Sequence, residues 1–328
     1  MPATMRDVAA LAGVSLKTVS RVVNLEPHTR PEVVARVRSA IAELEWVPNG
    51  SARSLRTGRT GVIAVAVPEL RRPYVSGLAE AVVSEVYRRG LQAAVEPVQG
   101  LPERTRAILA SLGRAVDGVV LIGQQDATQL DGLRAQDPVV TLHAGEATGV
   151  DSVDPDLVES ATLLARHLVV MGRQRPVMLG FDRFPDGERV VARALRLAGL
   201  TPSTAGVAGL RYRAQAALAT PRLLEAFPDA DAVLCGSDEL ALGVLAVLAQ
   251  RGIAVPDDIA VAGFDNLDDS TFSTPSLTTI DPGTHRLARS TLDLLADRLS
   301  GLGDPTPRRV ISPVDLVRRE STLGASLS

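Results

Sequence analysis

The side chains with most to offer a partner are crowded into one stretch, Gly13 to Asn24, reading G-V-S-L-K-T-V-S-R-V-V-N. Lys17, Thr18 and Arg21 supply hydrogen-bond donors, and Lys17 is the only lysine in the chain. Ser15 stands where a helix needs an N-cap, its side-chain oxygen accepting an otherwise free backbone amide. Val19, Val22 and Val23 give that helix one apolar face, while Leu16, Lys17, Thr18 and Arg21 fall mainly on the others. Donors near the start of a helix with an apolar back suit entry into the major groove of DNA. An ordinary helical hairpin carries the same pattern, so the stretch alone leaves both readings open. Enzyme chemistry has no comparable foothold. There is no G-x-G-x-x-G after the first strand, no P-loop and no G-x-S-x-G elbow. The four histidines show no paired metal-ligand spacing. His143 and His167 read as a pocket residue and a helix-face residue rather than a catalytic pair. No cofactor is expected.

These donors need a frame. Upstream, Met5 to Leu11 places Val8, Ala9 and Leu11 on one helical face. Gly13 breaks that helix at a turn, giving two short helices about a glycine. Pro31 fits the first position of a third helix, Pro31 to Leu44, with Val33, Val34, Val37, Ile41 and Leu44 facing inward. Pro48 disfavours helix at the residue before it, so Trp46-Val47-Pro48 closes a three-helix head. Asn49 to Gly58 is short, polar and cationic. It reads either as a flexible linker or as a hinge helix that forms on DNA.

Charge separates along the chain. Residues 1–60 hold nine Lys plus Arg against five Asp plus Glu, and the remainder holds 26 against 33, within a total net charge of −3. A cationic head on an anionic body fits a DNA-binding module fused to something else. A single cysteine, Cys235, permits no internal disulfide, which suits a reducing compartment. No apolar run is long enough to span a membrane, and the N-terminus lacks the apolar core of a signal peptide. A cytoplasmic location is expected.

From Val62 the texture changes. Val62–Val67, Leu91–Val95, Gly118–Ile122, Pro138–Leu142, Pro176–Gly180, Ala232–Cys235 and Ile259–Gly263 read as strands. Tyr74–Arg89, Leu101–Arg114, Leu157–Met171, Arg189–Ala198 and Glu239–Arg251 read as helices between them. Such alternation predicts parallel sheets with helices on both faces. Its extent exceeds one modest sheet, so two similar halves are expected. Open α/β sheets bind ligands beyond the carboxyl ends of their strands, and two such edges facing each other make a cleft.

The string M-R-D-V-A-A-L-A-G-V-S-L-K-T-V-S-R-V-V-N at 5–24, with I-A-E-L-E-W-V-P-N at 41–49, resembles the head of the lactose-repressor (LacI) family of bacterial transcription regulators. In the body, G-S-D-E-L-A-L-G at 236–243, V-P-D-D-I-A-V-A-G-F-D at 255–265 and P-S-L-T-T-I at 275–280 are similar to family segments. The resemblance covers essentially the whole chain. It implies a helix-turn-helix head over 1–47, a hinge helix over 48–59, and an effector-binding and dimerisation body over 60–328. The body would be two-lobed and like a periplasmic binding protein, built on two doubly wound parallel sheets. One lobe would run over about 60–155 and 284–311, the other over about 156–281 and 312–324.

Residue by residue, the resemblance gives Leu16 and Lys17 the positions that select the operator, with Arg21 completing base reading. Lys17 or Arg21 could pair with guanine, worth about 1–3 kcal/mol of discrimination, and Leu16 offers a contact to a thymine methyl. Ser15, Thr18, Asn24 and His28 match backbone-contacting positions, and Asn49 joins the DNA-binding set. Ala52 and Leu55 match hinge residues at the minor groove, the leucine acting as a wedge. Asp265 matches the ligand-binding aspartate, and Arg196 in R-L-A-G matches an arginine that binds effector. Arg189 and Arg193 compete for that register. Ser237 stands where sugar-binding members often carry asparagine, and His143 falls near a position often held by aspartate. Tyr74 could supply an aromatic lid. Asp238 is expected to cap the helix beginning near Glu239.

The resemblance therefore implies a homodimer, with Tyr74–Arg89 at its interface, on a near-palindromic operator. A sugar or related metabolite between the lobes would control DNA affinity, and repression is the expected outcome. No terminal leucine heptad is present to drive tetramers. The competing readings are a soluble solute-binding protein with an incidental helical head and an enzyme on a doubly wound fold.

Overall fold

The computed structural model describes residues 3–23, 29–46, 58–123, 127–143, 145, 149–184, 186–301 and 304–323. The chain divides into two compact units, Met1–Thr60 and Gly61–Ser328.

In the first unit, α1 spans Met5–Ala12, α2 Leu16–Val23 and α3 Pro31–Glu43. Thr4 and Asp7 form a capping box at the start of α1: the Asp7 carboxylate accepts the Thr4 amide at 2.8 Å, and the Thr4 hydroxyl accepts the Asp7 amide at 3.4 Å. Gly13 closes α1 at φ 63°, a left-handed conformation that costs glycine little. Ser15 caps α2 by accepting the Thr18 amide at 3.2 Å. Pro31 opens α3. Val8, Ala9, Ala12, Val19, Val22, Val37, Ala40 and Trp46 form the core. Leu11 departs from expectation, being 47% exposed. Ala12 takes the buried place, because the core-facing stripe of α1 runs through Val8, Ala9 and Ala12.

The second unit carries two six-stranded sheets. The first has the order β11-β5-β4-β3-β1-β2, with β1 at Val62–Val67, β2 Gln92–Pro97, β3 Gly118–Ile122, β4 Val139–Leu142, β5 Asp151–Pro155 and β11 Arg309–Ser312. Every pairing in it is parallel. The second has the order β12-β10-β9-β8-β6-β7, with β6 at Pro176–Leu179, β7 Ser203–Thr204, β8 Ala232–Cys235, β9 Ala260–Phe264, β10 Thr278–Asp281 and β12 Asp315–Val317. Only β10 and β12 run antiparallel there.

Continuous apolar strands serve two cores at once. Ile63, Val65 and Val67 face α4 (Pro73–Arg88) and α11 (Thr284–Ser300), while Ala64 and Ala66 pack on the other side with Ile108 of α5 (Pro102–Ala110). In the second sheet, Met178 and Leu234 face α6 (Leu157–Val170) and α7 (Gly187–Leu197). Val177, Leu179, Val233 and Cys235 face α8 (Arg213–Ala226) and α9 (Asp238–Gln250). Alternate residues point to opposite faces, so a strand covered on both sides must be apolar throughout. Two short helices complete the unit, α10 at Asp268–Phe272 and α12 at Glu320–Leu323. The chain passes between the sheets three times: from β5 into α6, from β10 into α11, and from β11 into β12. Among the described residues no helix is long and apolar enough to cross a membrane, and no acidic, His and Cys groups cluster as metal ligands.

Candidate DNA interface and effector cleft

On the head, Ser15, Leu16, Lys17 and Arg21 are exposed and Thr18 is half-buried. Leu16 is 43% exposed although Val19 and Val22, on the same helix, are buried. Burying those valines turns the first turn of α2 outward and places an apolar and a cationic side chain next to each other on the surface. The Ser15 and Thr18 hydroxyls bond each other at 2.9 Å. Asn24, His28, Asn49, Ala52 and Leu55, with residues 48–57 of the hinge segment, lie outside the described residues.

In the body, a cavity of about 700 Å³ lies between the two sheets. It is lined from the carboxyl ends of strands: Arg72 and Tyr74 after β1, His143 after β4, Arg183 after β6, Ser237 after β8 and Asp265 after β9. This is where open α/β sheets place ligands.

Arg183 donates to Asp265 through both terminal nitrogens, Nη1 to Oδ2 at 2.9 Å and Nη2 to Oδ1 at 2.8 Å. Its guanidinium stacks among Phe184, Tyr74 and Phe264, with centroid distances of 4.6, 5.5 and 5.8 Å. The Tyr74 hydroxyl and His143 Nε2 share a hydrogen bond of 2.6 Å, their rings edge-on. Burial, and then the facing Arg183 and Arg72 guanidiniums, push the His143 imidazole down to about 3. His143 is therefore neutral at physiological pH and acts as a hydrogen-bonding group. Burial pushes the Asp265 carboxyl up, against the pull of Arg183.

The turn that carries Asp265 is strained. Asp265 has φ 123° and Asn266 φ 52°, both in a region that side chains other than glycine rarely adopt. Asp238 holds that turn in place. It accepts the Leu267 amide at 2.9 Å, the Ser270 hydroxyl at 2.6 Å and the Thr279 hydroxyl at 2.6 Å. The expectation that Asp238 caps α9 is thus corrected. Ser237 is the N-cap, accepting the Leu240 amide at 3.3 Å, and Asp238 turns inward because the buried hydroxyls and amide need an acceptor. Ser237 also lines the cavity.

Arg196 does not reach the cavity. It is exposed in the last turn of α7, because R-L-A-G ends that helix instead of beginning it. Arg193 is also exposed. Arg189, near the start of α7, does line the cavity and pairs with Asp186 at 2.9 Å. The sequence reading does not single out Arg183, which comes four residues after the buried strand β6, in G-F-D-R-F. At the cavity margin the Tyr212 hydroxyl, preceding α8, donates to Glu69, following β1. Arg71 lies 5.0 Å over the Tyr212 ring. These contacts join the two halves of the body. His167 is enclosed on α6, its Nε2 2.7 Å from the Thr322 hydroxyl, and is not part of the cavity lining.

Comparison with known proteins fits both units. Residues 4–49 match the family model of bacterial regulatory proteins of the lacI family, and residues 165–322 match that of a periplasmic binding protein-like domain. The chain is 31% identical over 333 residues to the HTH-type transcriptional regulator CelR of Thermobifida fusca, covering 97% of this chain and 98% of that one. The lac repressor dimer bound to operator and the anti-inducer ONPF superposes with a TM-score of 0.79 at 26% identity, covering 98% of this chain and 99% of its own. A complex of the regulator CelR with cellobiose superposes with a TM-score of 0.65 at 29% identity, covering 97% and 99%.

Proposed function

The chain belongs to the LacI family of DNA-binding transcription regulators, and we propose that it is a repressor whose hold on its operator is set by a small molecule in the 700 Å³ cavity. The observation that carries this reading is the cavity's position. It lies at the carboxyl edges of two sheets, in a chain that also presents an exposed polar and cationic face on α2. A ligand that contacts both edges binds one arrangement of the halves better than another, and only such a difference can shift an equilibrium.

The effector is a sugar or related metabolite, as in the CelR–cellobiose complex. Tyr74, His143, Arg183, Arg189, Ser237 and Asp265 form its contacts, with Arg196 outside the set. Two copies of the chain bind a near-palindromic operator, since a two-fold protein requires two related half-sites. The solvent face of α4, with Gly77, Glu80, Ser84 and Tyr87, contributes to that dimer. Ser15, Thr18, Asn24, His28 and Asn49 orient the head on phosphates. Leu16, Lys17 and Arg21 read bases, and Ala52 and Leu55 enter the minor groove.

Selection of bound duplexes from a random library, repeated with a panel of sugars and metabolites, tests this. The expected result is one enriched near-palindrome whose retention changes with one class of small molecule. No sequence preference under any condition overturns the reading.

A further inference from the structure

The chemistry of the effector can be narrowed, on the reading that the cavity is its site. Among the described residues five arginines line the cavity: Arg72, Arg183, Arg189, Arg211 and Arg309. Most have an acid of their own. Arg183 has Asp265, Arg189 has Asp186, Arg211 has Asp182 at 3.3 Å, and Arg309 has Asp154 at 3.3 Å. Of the other acids among the described lining residues, Glu239 pairs with Arg213, and Asp156 caps α6 while keeping its negative charge.

Arg72 is different. Among the described residues its one ion-pair partner is Glu69, 3.0 Å from Nε, and Glu69 also takes the Tyr212 hydroxyl. The Glu69 contact pairs the charges without giving the buried Nε a hydrogen bond. Burial lowers the pKa of Arg72 most; the nearby Arg183 and Arg211 guanidiniums act the same way, while Glu69 and Asp265 act against them. A guanidinium keeps its proton in such a setting, so Arg72 remains a cation with terminal donors to offer. His143, neutral here, neither adds to the charge nor cancels it. Arg72 also sits at the N-cap of the 16-residue helix α4, whose first turn lines the same end of the cavity. Helix N-termini favour negative charge. Asp265, the carboxylate a neutral polyol would seek, already has both oxygens committed to Arg183.

We propose that the effector carries an anionic group, a phosphate or a carboxylate, seated against Arg72 and flanked by Arg183 and Arg211. A bidentate arginine contact to such a group is directional as well as strong.

The test uses the full-length chain with inorganic phosphate, D-glucose, D-glucose 6-phosphate and D-glucuronate, against sodium chloride at matched ionic strength, read by calorimetric titration and melting temperature. Binding of phosphate, of the sugar phosphate or of the uronate is expected. Arg72→Gln should weaken it about tenfold or more, and Arg211→Gln should weaken it too, while the exposed Arg196→Gln leaves it unchanged. The second cavity variant guards against misfolding of the first, and melting without ligand checks both. Preference for D-glucose 6-phosphate over D-glucuronate assigns the group as phosphate, and the reverse assigns carboxylate. If no anion binds better than chloride, or if both cavity variants bind as wild type does, the proposal is overturned. If D-glucose protects wild type and Arg72→Gln alike while the anions do nothing, the cavity remains the effector site and only its anionic character falls.

Discussion

Arg183 meets Asp265 end-on, each terminal nitrogen of the guanidinium facing one carboxylate oxygen, with the Asp265 side chain 2% exposed and that of Arg183 15% exposed. The pair is a buried unit, and its members are unequal when separated. Arg183→Met removes the cation and both hydrogen bonds from a carboxyl that burial already pushes up, so Asp265 is left badly paired or takes a proton; breaking such a buried pair costs roughly 3–5 kcal/mol. Asp265→Asn with Arg183→Met removes both charges and should cost clearly less than the sum of the single changes. Urea unfolding followed by far-UV circular dichroism measures this. The only tryptophan, Trp46, reports on the head and not on the body. Additive losses would mean that the two residues do not act as a pair.

Asp238 acts on the cavity from behind. Its three hydrogen bonds fix the turn that holds Asp265 and Asn266 at positive φ. Asp238→Ala leaves two buried hydroxyls and one amide without their acceptor, at about 1–3 kcal/mol for each group left unpaired, less whatever water enters. The expected outcome is a less stable body and a lost effector response, with operator binding by the head retained. Asp238→Asn keeps one acceptor oxygen and should fall between Asp238→Ala and wild type. A normal effector dose response in a folded Asp238→Ala protein would show that the turn does not need this support.

Acid should act on the body partly through His143. Its folded-state pKa of about 3 lies below the ordinary histidine value of 6.5. The folded protein therefore binds fewer protons than the unfolded chain between those limits. The neutral imidazole contributes stability in full above pH 6.5, and that stability is lost as pH falls toward 3. The slope from this one group is at most about 1.4 kcal/mol per pH unit. His143→Gln removes the titration and should flatten the dependence between pH 6 and 4. Equal slopes in urea titrations of wild type and variant would place the acid sensitivity elsewhere.

The parts of the fold that announce themselves do so through uncompromised apolar runs. Val62–Val67, Gly118–Ile122 and Ala232–Cys235 are strands at the bounds their composition indicates, since each is covered on both faces. Other elements conceal themselves. Asp151–Pro155 is a buried strand with the sequence D-S-V-D-P, and its polarity makes sense only in three dimensions. Arg298 donates to Asp151 at 2.9 and 2.6 Å, and the Gly145 amide donates to Asp154 at 3.0 Å. The helix α8 carries Pro221 within it, which single-sequence periodicity reads as a break. The cavity was legible through Asp265, which follows a buried strand, but not through Arg183, whose role depends on a partner 82 residues away. The R-L-A-G string misplaced Arg196 because Gly199, at φ 84°, marks where α7 stops, while the cavity lies at the helix's other end.

Lys17 offers the most direct test of the head. It is exposed in the first turn of α2, beside the exposed Leu16 and one turn before Arg21, with Val19 and Val22 anchoring the helix from behind. Replacing it with alanine touches no core contact, and alanine suits a helix at least as well as lysine, so the head should stay folded. What changes is readout. A lysine paired with guanine contributes about 1–3 kcal/mol of preference at its base position, and that preference should disappear. A lysine on phosphate would instead weaken all sequences alike and lower the salt dependence by about one phosphate contact. Measuring affinity across operators that differ at single base pairs, at two salt concentrations, separates the two roles. A flattened preference at one position of each half-site is the expected result, and a uniform loss across every sequence would move Lys17 from the bases to the backbone.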